Sequence, residues 1–125
     1  MEIKLTNREA QLMDVLWRNG PSTVAEVREA LPDDLAYTTV LTVLRTLEGK
    51  GYVKHSSQGR AHRYFASVTQ GKARRSASRA LVRKLFDGST ELLLTHLVTD
   101  AKLSDAEIRR IKDLLDQRPA KEGKS

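Results

Sequence analysis

Cysteine is absent from this 125-residue sequence, and with it go disulfides, thiolate metal sites and cysteine nucleophiles. Aromatic residues are scarce at 5%, so a ligand pocket walled by rings is not expected. No apolar run approaches the roughly 20 residues needed to cross a bilayer. The first residues also lack the basic, apolar, then small-residue order of a secretory signal. The expectation is a cytoplasmic protein with no membrane insertion. Catalytic motifs are missing as well: there is no G-x-S-x-G, no glycine-rich phosphate loop and no H-E-x-x-H. Serine, histidine and aspartate occur, but nowhere spaced as nucleophile, base and orienting group. Neither an enzyme nor a bound cofactor is expected.

What is present is apolar enough to fold and strongly basic. Apolar residues make up 39%, led by leucine and valine, and the net charge is +6 with a pI near 9.8. Charge alone fits a solvated basic surface as well as a polyanionic partner, so its distribution matters more. Acids outnumber bases in residues 1–35. In residues 36–63 the bases Arg45, Lys50, Lys54, Arg60 and Arg63 face Glu48 alone. Residues 72–84 then hold Lys72, Arg74, Arg75, Arg79, Arg83 and Lys84 with no acid. A phosphate-facing surface needs such segregation, although the 72–84 run reads equally well as a solvated helix face.

Helix starts are marked by three capping boxes, Thr6-Asn-Arg-Glu9, Thr23-Val-Ala-Glu26 and Ser104-Asp-Ala-Glu107. The first opens a helix to about Asn19 that buries Met13, Leu16 and Trp17 and stops at Gly20-Pro21. The second opens a short helix through Ala30, with Val24, Val27 and Leu31 inward. A third helix is expected over 36–50, its buried stripe made of Tyr37, Val40, Leu41, Leu44 and Leu47. Its other face carries Thr38, Thr42, Arg45 and Gly49, with Thr39 and Thr46 at the margins. Short hydroxyls and an arginine permit closer approach to another surface than the usual Glu and Lys.

The period then changes. Residues 52–57 and 61–66 read as two strands of a hairpin around Gln58-Gly59-Arg60. Helical spacing returns from Thr69 to about Phe86, stopped by Asp87-Gly88. A short helix is expected from Thr90 to Leu97 and a last one from the third box to about Arg118, with 119–125 a frayed tail. The fold class is therefore mainly α with a small β hairpin. An N-terminal winged helix-turn-helix domain (1–68) precedes a C-terminal helical dimerisation region (69–118).

Three helices followed by a hairpin, the third helix basic and rich in threonine, is the order of a winged helix-turn-helix. A helix fits the major groove, where each base pair presents a distinct donor and acceptor pattern. The hairpin follows the adjoining backbone or minor groove. The stretches LTNREAQLMDVLWRNGPSTVAEVREAL, LAYTTVLTVLRTLEGKGYV and GRAHRYFA resemble the penicillinase-repressor family (BlaI/MecI type). The resemblance extends through LFDGSTELLLTHLV and LSDAEIRRIKDLL, so it covers nearly the whole chain. It implies a homodimer that represses transcription from a palindromic operator of double-stranded DNA, in β-lactam-resistance or related stress genes. It places Thr38, Thr39, Thr42, Arg45 and Thr46 on the recognition face and Arg60, His62 and Arg63 on the wing.

The residues themselves suggest matching roles. Arg45 suits guanine or a phosphate, the threonine methyls suit thymine, and Lys50 and Lys54 suit phosphates. His55 and His62 on a two-stranded wing read as structural or phosphate-contacting rather than as metal ligands. Copper-sensing relatives carry a C-terminal cysteine cluster, a switch this sequence cannot use. Where relatives are relieved by a membrane sensor metalloprotease, the positions matching the cleaved bond are His96-Leu97. The dimerisation residues are expected to be Leu81, Leu85, Leu92, Leu93, Leu94, Leu97, Ile108, Ile111, Leu114 and Leu115. A helix apolar around most of its circumference needs cover that a tail of about 50 residues cannot supply alone. The other reading is a winged-helix module for protein assembly or RNA binding, without operator preference.

Overall fold

The computed structural model of the chain describes residues 2–100 and 102–118. In chain order the elements are α1 (Asn7–Asn19), α2 (Val24–Ala30), α3 (Tyr37–Gly49), β1 (Val53–Gln58) and β2 (Ala61–Ala66). Three further helices follow, α4 (Gln70–Leu85), α5 (Thr90–Asp100) and α6 (Asp105–Gln117). The fold is the expected one, mainly α with a single hairpin. The tail expected at 119–125 lies outside the described residues.

All three capping boxes form. Thr6 Oγ1 accepts from the Glu9 amide at 3.1 Å while the Thr6 amide donates to Glu9 Oε1 at 2.9 Å. Thr23 with Glu26 and Ser104 with Glu107 repeat the arrangement. Each box satisfies two amides that lack partners inside the helix. Helix α3 starts without such help, on Ala36, which offers no side-chain cap. Helix α5 runs to Asp100, beyond the expected Leu97, since no glycine or proline follows Leu97 to stop it. Its last turn brings His96 Nδ1 to 3.5 Å from Asp100 Oδ2.

The hairpin is antiparallel, pairing Val53 with Ala66 through Gln58 with Ala61. Because Gln58 belongs to the ladder, the loop is Gly59-Arg60 rather than the expected three residues. Gly59 takes φ 64°, open to a residue without Cβ, and Arg60 does not share the positive φ. That is the pattern of a type II′ turn, whose twist matches the strands. A backbone bridge not read from the sequence ties the hairpin to the α1–α2 turn. The Ser22 amide donates to Tyr64 O at 2.9 Å, and the Tyr64 amide donates to Ser22 O at 2.8 Å.

The chain divides into two compact units, Met1–Leu81 and Val82–Ser125. The first holds the core, in which Leu12, Met13, Val15, Val27, Val40, Leu44, Leu47 and Val53 are essentially sealed from solvent. It reaches past 68 because Ala73 joins the core and Ser76 Oγ accepts from the Ile3 amide at 2.7 Å. Three expected core residues sit differently, among them Leu41, which is half-buried. Trp17 is half-buried, its indole N–H donating to Val68 O at 2.9 Å. Tyr37, at the first turn of α3, is 48% exposed, because the inward stripe reaches its neighbours only from Val40 onward.

The second unit has no buried residue among those described. Leu92, Leu94 and Leu97 on α5 and Ile108, Ile111, Leu114 and Leu115 on α6 remain exposed, and Leu93 is half-buried. Leu85, where this unit meets the end of α4, is exposed as well. In the first unit Leu81 is likewise exposed. Among the described residues no helix is long and apolar enough to cross a membrane.

Candidate nucleic-acid interface

The outer face of α3 carries Thr38, Thr39, Thr42, Arg45 and Thr46, all solvent-exposed. Val40, Leu44 and Leu47 anchor the opposite face in the core, which fixes the direction in which the threonines project. Thr42 Oγ1 donates to Thr38 O at 2.8 Å and Thr46 Oγ1 donates to Thr42 O at 3.0 Å. Both hydroxyl protons are thus engaged by the helix backbone. These two threonines retain an accepting oxygen and a methyl for an approaching ligand, a surface suited to apolar contact with thymine.

The cations expected at phosphates are held in three ways. Arg45, Lys54 and Arg60 have no acidic partner among the described residues. Lys50 does: its Nζ lies 2.9 Å from both carboxylate oxygens of Glu9, a residue only 5% exposed. Burial pushes the Glu9 carboxyl up, but the Lys50 ammonium and the Thr6 amide and hydroxyl outweigh it and hold the group below its ordinary value. Arg63 NH1 donates to Glu26 Oε1 at 3.1 Å, the oxygen that also accepts from the Thr23 amide. The Thr23 amide, and after it Arg63, keep Glu26 below its ordinary value as well.

Strand pleating divides the wing residues between two faces. His62 shares a face with His55 and Tyr64, whereas Lys54 and Arg63 lie on the other. The His55 and His62 rings stack at 4.7 Å with 10° between their planes. His55 Nδ1 lies 2.6 Å from Glu48 Oε2 on α3, so the wing is pinned to the end of that helix. No group of three or more His, Cys, Asp or Glu among the described residues could hold a metal ion.

Between α3 and the wing lies an open cleft of about 260 Å³. Arg45 and Tyr37 line it from α3, Arg60 and His62 from the wing, and Thr23 from the start of α2. The structure therefore brings Arg45, Arg60 and His62 together, with the four outer threonines on the adjoining helix face. Lys50 and Arg63 are turned to Glu9 and Glu26, and residues 72–84 contribute nothing to the cleft lining. Sequence reading passed over Tyr37, which helical spacing assigned to the core. It read Glu9 and Glu26 only as capping residues and missed their cation partners, which lie 41 and 37 positions away, as well as the pairing of Glu48 with His55.

Comparison with known proteins follows the same lines. The profile of a family described as Penicillinase repressor matches residues 5–117. The transcriptional regulator BlaI of Mycobacterium tuberculosis is 38% identical over 113 residues, 86% of this chain and 80% of that protein. The methicillin resistance regulatory protein MecI of Staphylococcus epidermidis is 19% identical over 117 residues, 92% of this chain and 95% of that one. Among solved structures, a MarR family protein from Bacillus stearothermophilus matches with a TM-score of 0.51 at 17% identity. It covers 92% of this chain and 73% of that one, a likeness of fold alone.

Proposed function

The chain belongs to the penicillinase repressor family and is a transcriptional repressor of the BlaI/MecI type rather than an enzyme, and from that premise we propose that it acts as a homodimer on a palindromic operator. The observation that carries the DNA-reading half is the α3 face, where exposed threonines and Arg45 stand on a stripe locked into the core. Arg45 reads a base edge from this face, the threonines contact thymine methyls and sugar-phosphate, and Lys54 and Arg60 add affinity along the backbone. Lys50 and Arg63 hold α3 and the wing in place through their carboxylate partners.

The dimer half rests on the second unit. Helices α5 and α6 expose a set of leucines and isoleucines with no buried residue between them. Each such side chain taken fully out of water is worth about 1.5–3 kcal/mol, so a partner surface is strongly favoured. A second copy supplies one with matching chemistry, and its two-fold axis sets two recognition helices about 34–36 Å apart, one turn of DNA. Proteolytic relief by a membrane sensor metalloprotease would act at His96-Leu97, which lies within α5 with Leu97 exposed. Cleavage there would cut the apolar surface that joins the copies.

The test is binding to a duplex selected by the protein from a random pool, against a shuffled duplex, at two salt concentrations. Arg45→Ala is expected to lose about 1–3 kcal/mol on the selected duplex and little on the shuffled one. Lys54→Ala is expected to weaken both about equally. Equal losses from both variants on both duplexes would remove Arg45 from the reading role. A protein with no preference between the duplexes would favour assembly or RNA binding instead.

A further inference from the structure

We infer that the cleft between α3 and the wing seats a backbone phosphate of the bound duplex, with Tyr37 donating its hydroxyl to that phosphate beside Arg60. The inference rests on the operator-binding reading and adds to it a contact residue and the duplex component that the cleft takes. Three observations carry it. Tyr37 is 48% exposed on the first turn of α3, and no group among the described residues bonds its hydroxyl. Tyr52 contrasts with it, being 5% exposed and accepting the Lys4 amide on its hydroxyl at 3.1 Å. Second, the Arg60 guanidinium lines the cleft from the hairpin turn, and no acidic residue among those described lines it, so its charge there is uncompensated. Third, the cleft is open to solvent and about 260 Å³ in volume. A phosphodiester fits that space.

The choice of phosphate over base follows from shape and donor count. A cleft walled by α2, α3 and the wing admits only the convex ridge of a duplex, which is its sugar-phosphate backbone. Base edges lie at the groove floor and meet the flatter threonine face instead. A phosphate offers only acceptors, and the cleft presents guanidinium and phenol donors. A tyrosine hydroxyl is a common backbone contact, fixing register without reading sequence.

The experiment uses the full chain, a fluorescently labelled duplex that it selects from a random pool, and a shuffled duplex of equal length. Tyr37→Phe removes one hydroxyl and keeps the ring, and is expected to weaken binding to both duplexes about three- to tenfold. The slope of log affinity against log salt should stay unchanged, because a neutral donor releases no counterion. The melting temperature should not move, since no described residue bonds that hydroxyl. Tyr37→Ala should weaken both duplexes further, and circular dichroism checks that it folds. Wild-type affinity for both duplexes in Tyr37→Phe would overturn the inference. So would a loss confined to the selected duplex, which would make Tyr37 a base reader. If the unsubstituted protein shows no preference between the duplexes, the operator reading fails by a separate measurement.

Discussion

Replacing Lys50 with methionine keeps the length and apolar stem of the side chain and removes only the charge that meets Glu9. The Glu9 side chain is 7% exposed and that of Lys50 37%, with both Nζ–oxygen distances at 2.9 Å. Removing one partner of a fully buried pair costs about 3–5 kcal/mol. Here the Lys50 end is partly hydrated and Glu9 keeps its bond from the Thr6 amide, so about 1.5–3 kcal/mol is the appropriate range. For a folding unit of this size each kcal/mol moves the midpoint by about 4–8 °C. The expected fall in melting temperature is therefore about 6–24 °C. The paired substitution Lys50→Met with Glu9→Gln should recover about 1–2 kcal/mol relative to additivity, because it leaves no buried carboxylate alone. DNA binding separates this role from a phosphate contact. A cation on a phosphate contributes about 0.9 to the salt slope, so Lys50→Met should leave the slope intact while Lys54→Ala lowers it by about that amount. An unchanged melting temperature together with a slope reduced by about 0.9 would refute the reasoning.

Leu97→Asp with Ile111→Asp, on the exposed faces of α5 and α6, should shift the protein toward single copies in sedimentation and weaken operator binding well beyond tenfold. Glu9 titrates below its ordinary 4.5 in the fold. Its contribution is therefore complete above the unfolded value and fades as pH drops through the lower folded one. Thermal melts should hold steady from neutral pH down toward 4.5 and decline below it, more steeply in the wild type than in Glu9→Gln. Leu44→Ala, at a fully buried site on α3, should cost about 2–5 kcal/mol in denaturant unfolding. A loss under 1 kcal/mol would mean that α3 is not anchored where the core places it.

The parts of the fold that could be read from sequence are those in which cause and effect lie within one or two helical turns. A threonine and a glutamate three residues apart determine both ends of their own bond, and all three boxes formed as spaced. The threonine face of α3 follows from Val40, Leu44 and Leu47 by the same local geometry. Periodicity has no information about where the core ends, which is why Tyr37 was placed inside when no element reaches far enough to cover it. Contacts such as Lys50 with Glu9 and Ser22 with Tyr64 span 41 and 42 positions, and each residue type there is ordinary by itself. The exposed leucines were visible in the sequence, but a pattern of apolar residues does not name what covers them.

One economy joins the scaffold to the interface. Glu9 and Glu26 each close a capping box at the start of a helix, and each then reaches a cation at the end of α3 or on the hairpin. Glu9 holds Lys50 at the end of α3, and Glu26 holds Arg63 on β2. The two struts differ in burial, since Glu9 is 5% exposed whereas Glu26 lies open to solvent. An exposed pair is screened by salt and contributes little, whereas a sheltered one is screened far less. Of these two contacts, the one at the end of α3 is thus the less weakened by salt. On the proposed reading, base contact needs a rigid helix, and a hairpin following a deformable backbone gains from give. Hydrogen exchange at the amides of β1 and β2 should accordingly quicken with added salt while that of α3 does not. Equal salt response in both elements would mean that the Arg63–Glu26 contact does not restrain the wing.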